Sequence, residues 1–321
     1  MKILIIRFSS IGDIVLTTPV VRCLKKQMPD TEIHYLTKER FREITESNPY
    51  IDKVHLLKGE LSECIKELKR EKFDHIVDLH KNIRSLIVRA RLKATATSFP
   101  KLNFKKWLLV KLKINLLPDI HIVDRYFKAV KKINIINDQQ GLDYFLTEEY
   151  MQKARGYVSA FAEKYCAFVI GGTYYTKRYP KEKVVELINT ISFPVVLLGG
   201  QQEADDAAYI ENNAEKKVLN LCNKISLNES AAILQYSDMV ISNDTGLMHI
   251  ASALGKKLVS FWGSNVPAFG MYPNIKEHYI AEVRGLSCRP CSRLGKKKCP
   301  KGHFKCMLDI DQDAILKWIS K

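Results

Sequence analysis

Short apolar runs rich in β-branched residues alternate with amphipathic stretches along this chain, and that alternation leaves few folds open. A strand buried on both faces reads as a near-continuous apolar run, and its parallel neighbour can be reached only through a crossover, usually a helix. Runs at 2–7, 32–36, 53–56 and 75–79, with a further strand expected at 142–146, are interleaved with helical spacing at 14–27, 39–46, 60–71 and 83–91. The pattern restarts with Cys166–Ile170 and continues through Val195–Leu198, Val218–Leu221, Met239–Ser242 and Leu258–Phe261. Such repetition predicts an α/β fold of doubly wound, mostly parallel sheets. A chain of 321 residues exceeds the usual size of one core. Two domains follow, 1–150 and 151–321, joined in or just before a helix expected over Glu148–Lys164, with a last helix over Asp311–Ile319.

Two loops in this frame carry chemistry. The first, Ser9-Ser10-Ile11-Gly12-Asp13, leaves the first strand and opens a helix, so Ser10, Gly12 and Asp13 stand where open α/β sheets place their sites. The second, Ser242-Asn243-Asp244-Thr245-Gly246-Leu247, leaves an apolar strand and opens the helix Leu247–Leu254. Free amides at Gly246 and Leu247, the Thr245 hydroxyl and the helix dipole suit an anion there. Each loop also reads as an ordinary helix cap, and His249 as a packed core imidazole. Ser226-Leu227-Asn228-Glu229 is a capping box for a helix reaching about Tyr236.

The opening Lys2 to Pro19, the segment Gly171-Gly172-Thr173 to Lys177-Arg178-Tyr179-Pro180, and Ser242 to Ala251 occur in that order. Together they resemble the family 9 glycosyltransferases, the heptosyltransferases of lipopolysaccharide core synthesis, over nearly the whole chain. The resemblance implies a GT-B fold, two Rossmann-like domains facing a cleft, with the acceptor on the first and an ADP-heptose donor on the second. The terminal helix, about 308–321, would pack back on the first domain. It implies Asp13 as general base, and Thr173, Lys177, Asp244, Thr245, Gly246, Leu247 and His249 around the donor, with Gly12 beside it. Glu203 would take a ribose hydroxyl pair, or stand as a carboxylate at a helix start. Ser10, Arg84 and Arg125 would meet an acidic acceptor, although on composition alone either arginine reads first as a surface residue. Cation and amide contacts to the diphosphate leave no cofactor required.

A net charge of +16 calls for an anionic partner. Ten Lys or Arg residues and no Asp or Glu fall between Leu79 and Pro118, and within that stretch Phe104 to Ile114 mixes lysines with bulky apolar groups. This suits an anionic membrane surface, or a core-facing helix with a solvated lysine face. Nucleic-acid motifs are lacking. No apolar run approaches the ~20 residues of a membrane span, so a cytoplasmic protein, peripheral on the inner face of the inner membrane, is expected. Cys23, Cys64, Cys166 and Cys222 read as buried thiols. Cys288, Cys291, Cys299 and Cys306 cluster in a basic loop that would lower their pKa, open to structural zinc, to disulfides or to reduced thiols. Tyr174, Tyr175 and Tyr179 depart from the Ser- and Trp-rich sequence often seen around the family's lysine. Two alternatives therefore stand beside heptose transfer: a transferase or epimerase using a UDP-hexose, and a nucleotide-binding membrane adaptor whose site has decayed.

Overall fold

The computed structural model describes residues 1–159, 161 and 164–321. The chain divides into two α/β units, Met1–Lys101 with Ile120–Phe145, and Leu102–Asp119 with Leu146–Lys321. Residues 102–119 thus group with the second unit although they lie within the first half of the sequence.

In the first unit, β1 (Lys2–Ile6), β2 (Glu32–Lys38), β3 (Lys53–Leu57), β4 (His75–Asp78) and β5 (Thr95–Ser98) form a parallel sheet in the order β3-β2-β1-β4-β5. Leu4, Ile6, Leu36 and Ile76 pack with Leu68 and Val88 of the covering helices. The order reverses between β1 and β4, which opens a crevice beyond their carboxyl ends.

The second unit holds β6 (Cys166–Val169), β7 (Val195–Leu198), β8 (Val218–Asn220), β9 (Met239–Asn243), β10 (Lys257–Trp262) and β11 (His278–Glu282), all parallel, in the order β11-β10-β9-β6-β7-β8. Its reversal lies between β6 and β9. The terminal helix Gln312–Ile319 packs on this unit: Ile315 is in its core and Lys257 Nζ donates to the Ile319 carbonyl at 2.9 Å.

Several elements differ from the sequence reading. The strand expected at 142–146 has no regular structure. Side chains hold that segment instead: the Asp143 amide donates to Thr18 Oγ1 at 2.8 Å, and buried Arg22 pairs with the Asp138 and Asp143 carboxylates. The helix expected over 14–27 is two, Ile11–Val15 and Thr18–Gln27, with Pro19 in the first turn of the second, where its missing N–H costs nothing. The helix expected to Lys164 runs Glu148–Val158; Ala160, Ala162 and Glu163 lie outside the described residues. The capping box forms as expected, Ser226 Oγ accepting from the Glu229 amide at 3.2 Å and Glu229 from the Ser226 amide at 2.7 Å.

Candidate active site

In the first unit the candidate base stands one turn beyond β1. Asp13 Oδ2 accepts from the Ser10 hydroxyl at 2.9 Å and the Ser10 amide at 3.2 Å, while Oδ1 pairs with Arg7 Nη2 at 2.6 Å. Arg7 is itself fixed by the Ser9 carbonyl at 2.8 Å and the Leu79 carbonyl at 2.5 Å, and lies over the Tyr126 ring. It therefore links the loop after β1 to the end of β4 across the crevice. Burial pushes the Asp13 carboxyl up, but the Arg7 guanidinium and the Ser10 donors outweigh it and hold the group below the usual carboxylate range. The side chain keeps 23% of its surface exposed, so it can meet a substrate hydroxyl. Gly12, buried in the same turn, sends its carbonyl into the helix at Leu16.

The second unit gathers its candidate residues at the reversal between β6 and β9. Lys177, on the loop after β6, places Nζ 2.6 Å from Asp244 Oδ2, on the loop after β9. Asn265, after β10, donates Nδ2 to the same oxygen. Behind them Asn243 Nδ2 donates to the carbonyls of Ile170 at 2.8 Å and Gly171 at 3.1 Å, and its Oδ1 accepts from the Tyr179 amide at 2.9 Å. One asparagine thus sets the path of the lysine loop from the neighbouring strand. Thr245 stands at the N-cap of the helix Gly246–Ala253 without capping it, and its Oγ1 is buried with no hydrogen-bond partner. A cap hydroxyl spared from its own helix, beside free amides and a lysine, is an arrangement for an anion. Leu247 is partly exposed in the first turn, and His249 is packed under it at 2% exposure.

Glu203 is buried beyond β7. Its Oε2 accepts from the Gly200 amide at 3.0 Å and its Oε1 pairs with Arg178 Nη2 at 2.6 Å. Arg178 also donates to the Gly172 carbonyl at 2.7 Å, so this pair ties the two glycine turns together. Thr173, between them, is exposed. Arg84 is exposed on the helix Ile83–Leu92, whereas Arg125 is only 1% exposed and is no surface arginine.

The three tyrosines that set this chain apart have packing roles. Tyr179 stacks on Phe261 with ring centroids 4.0 Å apart, Tyr175 on Phe304 at 5.1 Å, and Tyr174 lies against Gly295, whose φ is +122°. The cysteine-rich loop is a brace for the lysine loop. Thr176 Oγ1 donates to Ser264 Oγ at 3.0 Å and accepts from the Lys296 amide at 2.8 Å, and the Ser264 amide donates to the Thr176 carbonyl at 3.2 Å. Arg289, buried, fastens the base of the loop to the Gly263, Trp262 and Asn265 carbonyls and to Glu282.

Cys288, Cys291, Cys299 and Cys306 are free thiols lining one small cavity with His303, Cys288 Sγ being 3.8 Å from His303 Nε2. Tetrahedral zinc would need sulfurs ~3.8 Å apart. Four thiols and an imidazole around one cavity are donor types that zinc takes. The lowering expected of the basic loop fails at two of them: burial prevails, raising Cys291 and pushing Cys306 up to about 11. Beside this loop, the helix Asn103–Leu112 does not bury its apolar face. Leu109 is its buried residue, while Phe104 and Trp107 stack on each other and remain 69% and 47% exposed. Helix and loop line an open groove of about 920 Å³ that includes Lys111, Lys113, Arg293 and Lys301. No helix among the described residues is long and apolar enough to cross a membrane.

Arg7, Arg178 and Asn265 were not legible as site residues. Arg7 had a signal, a cation ending a fully apolar strand; Asn265 had none, because only the sheet order brings the end of β10 beside β9.

Comparison with known proteins gives the family. Residues 62–301 match the model of glycosyltransferase family 9 (heptosyltransferase). The chain is 25% identical to lipopolysaccharide heptosyltransferase 1 of Campylobacter coli, covering 100% of this chain and 98% of that protein. It is 22% identical to lipopolysaccharide heptosyltransferase 2 of Escherichia coli, covering 99% and 97%. Among solved structures, a family 9 glycosyltransferase from Veillonella parvula superposes with a TM-score of 0.82 at 21% identity, covering 99% and 96% of the two chains. The E. coli ADP-heptose lps heptosyltransferase II gives 0.77 at 19%, covering 100% and 98%. The fold of the two units is that of these GT-B enzymes. The chain belongs to glycosyltransferase family 9, the heptosyltransferases, and is a glycosyltransferase.

Proposed function

We propose that this enzyme transfers heptose from ADP-heptose to the inner core of lipopolysaccharide with inversion at the anomeric carbon, using Asp13 as base and no metal ion. The observation that carries the reading is the second unit's anion cradle: Lys177, the unpartnered Thr245 hydroxyl and the start of the helix Gly246–Ala253, converging at the reversal of the sheet. Relatives described as lipopolysaccharide heptosyltransferases, and a related structure described with ADP-2-deoxy-2-fluoro heptose, support the donor and acceptor classes.

In this reading the acceptor oxygen attacks the anomeric carbon as the bond to the diphosphate breaks, and the electron pair leaves with ADP. Lys177, Thr245 and the amides of Gly246 and Leu247 take up the charge that develops on the leaving oxygens. A lysine and a helix start supply that positive charge without a divalent cation. Asp244 and Asn265 orient the lysine, and Glu203, held by Arg178, positions the ribose side. Asp13 receives the acceptor proton. Arg7 keeps it ionised at neutral pH, at some loss of basicity, and Ser10 fixes its rotamer. Arg84 and Arg125 serve an acidic acceptor, and the exposed Phe104 and Trp107 with their lysines rest on the anionic membrane that carries it.

The test is calorimetric binding of ADP, ADP-heptose and UDP-glucose in the absence of divalent metal. Preference for ADP and ADP-heptose is expected; preference for UDP-glucose overturns the donor, and no binding of any of the three overturns the anion cradle as the donor site. Asp13→Asn should lower transfer by ~10²- to 10⁴-fold with donor affinity little changed. Full activity in that variant removes Asp13 from the mechanism.

A further inference from the structure

At the opposite, amino-terminal edge of the first sheet lies a group of donors that the transfer reaction does not use. His34, the third residue of β2, is fully buried, and His55, the third of β3, is 8% exposed. His34 Nδ1 is 2.8 Å from His55 Nε2, and His34 Nε2 is 2.6 Å from Glu32 Oε1. Glu71, at the end of the helix Leu61–Glu71, completes the group: one ligand atom from each of His34, His55 and Glu71 lies within 4.8 Å of the other two.

We infer that His34, His55 and Glu71 bind a first-row transition-metal dication of the zinc or nickel class. Three features of the group carry this. The tautomer of His34 is fixed: an ionised Glu32 has no proton to give, so His34 Nε2 must carry the hydrogen and Nδ1 presents a lone pair. A carboxylate behind the far nitrogen is the usual companion of a metal-bound histidine. The set is then two imidazoles and a carboxylate, the donor types such ions take. Finally, an open cavity of about 390 Å³ reaches His55 from solvent; its charged lining, Glu60, Glu63 and Glu67 against Lys53 and Lys58, is acidic by one charge.

The metal-free arrangement uses the same atoms differently. His55 Nε2 donates its hydrogen to His34 Nδ1, and Glu71 accepts from Lys53 at 2.5 Å and Lys2 at 3.1 Å. Binding moves the His55 proton from Nε2 to Nδ1, with no net change in ionisation, and opens the two nitrogens by about half an ångström to the ~3.3 Å of a tetrahedral site. The ion replaces lysine charge at Glu71. Lys53 is 54% exposed and swings into water, while Lys2 retains Glu32 at 3.3 Å. The ion therefore clamps β2, β3 and the end of the helix Leu61–Glu71, away from Asp13.

The test is titration of the metal-stripped full chain with Ni²⁺ by calorimetry, comparing wild type with His55→Gln, Glu71→Gln and a Cys288→Ser/Cys291→Ser double variant. One ion in the wild type is expected, weakened at least ~10-fold in His55→Gln and Glu71→Gln and unchanged in the cysteine variant. No binding, binding that survives both substitutions, or binding lost with the cysteines overturns the site. Should His55→Gln fail to fold, Glu71→Gln alters only a partly exposed carboxylate. In the wild type, Zn²⁺ must then shift the ring-nitrogen resonances of two histidines; unmoved resonances overturn the proposal without any variant.

Discussion

Lys177 has two jobs in the proposed mechanism, and they can be separated. It neutralises Asp244, 2.6 Å away and only 8% exposed, and it is assigned to the departing diphosphate. Lys177→Met leaves a buried carboxylate with the Asn265 amide as its remaining named donor. Breaking such a pair costs about 3–5 kcal/mol, and Asn265 puts this case near the lower end, about 3 kcal/mol. Asp244→Asn leaves a lysine that is 17% exposed and can turn its ammonium toward water, so about 1 kcal/mol is expected. In the double variant the buried charge is gone and the new amide can still accept from Asn265. Its cost should return to about 1 kcal/mol, an interaction energy of about 3 kcal/mol. Catalysis must not follow stability. If the ammonium stabilises the leaving group, kcat/KM falls ~10²- to 10³-fold in Lys177→Met and stays there in the double variant. All three tryptophans, Trp107, Trp262 and Trp318, belong to the second unit, so urea unfolding followed by their fluorescence reports the unit that carries the pair. Release of nucleoside diphosphate supplies the rate. A double variant that recovers activity together with stability would refute the reasoning, because Lys177 would then matter only as the counter-ion of Asp244.

Other consequences follow from the same geometry. Arg7→Met removes the charge that holds the Asp13 carboxyl low, leaving burial to push it up; since the base must be ionised, the acid limb of kcat/KM moves to higher pH, and an unmoved limb would show that Asp13 does not titrate in catalysis. Gly295→Ala places a Cβ 2.5 Å from that of Tyr174 at φ +122°, and strain of about 1–3 kcal/mol pushed into the lysine loop should weaken ADP binding ~10-fold by calorimetry, with little change if the brace is incidental. Arg22→Met strands two carboxylates and should destabilise the first unit by about 3 kcal/mol in denaturation followed by circular dichroism. Asp138, held to about 2 by the Arg22 hydrogen bond, contributes stability that is complete above the ordinary Asp range and lost as pH falls through about 2. The acid side of the wild-type stability profile should therefore lose that contribution in Arg22→Met.

What could be read in the sequence depended on how local the signal was. Central strands such as β1, β6 and β9 are buried on both faces and announce themselves as apolar runs. The edge strands β5, Thr-Ala-Thr-Ser, and β11, His-Tyr-Ile-Ala-Glu, bury little and were passed over, while Leu142 to Leu146 looked like a strand because it is packed, though by Arg22 and Thr18 and not by a sheet. The site divides in the same way. Asp13, Thr245 and Gly246 sit in loops whose neighbours in sequence explain them, so a strand, a turn and a helix start marked them as candidates, and the family resemblance supplied the roles proposed for them. Arg7, Arg178 and Asn265 act through contacts set by strand order, and strand order is a long-range outcome. The sharpest case is the cysteine-rich loop, where spacing suggested a metal. The structure gives that loop a mechanical task as well: Gly295 and Lys296, with Ser264 after β10, hold Tyr174 and Thr176 just before Lys177. A spacing motif records which residues a loop contains; which segment the loop holds depends on the strand that ends beside it.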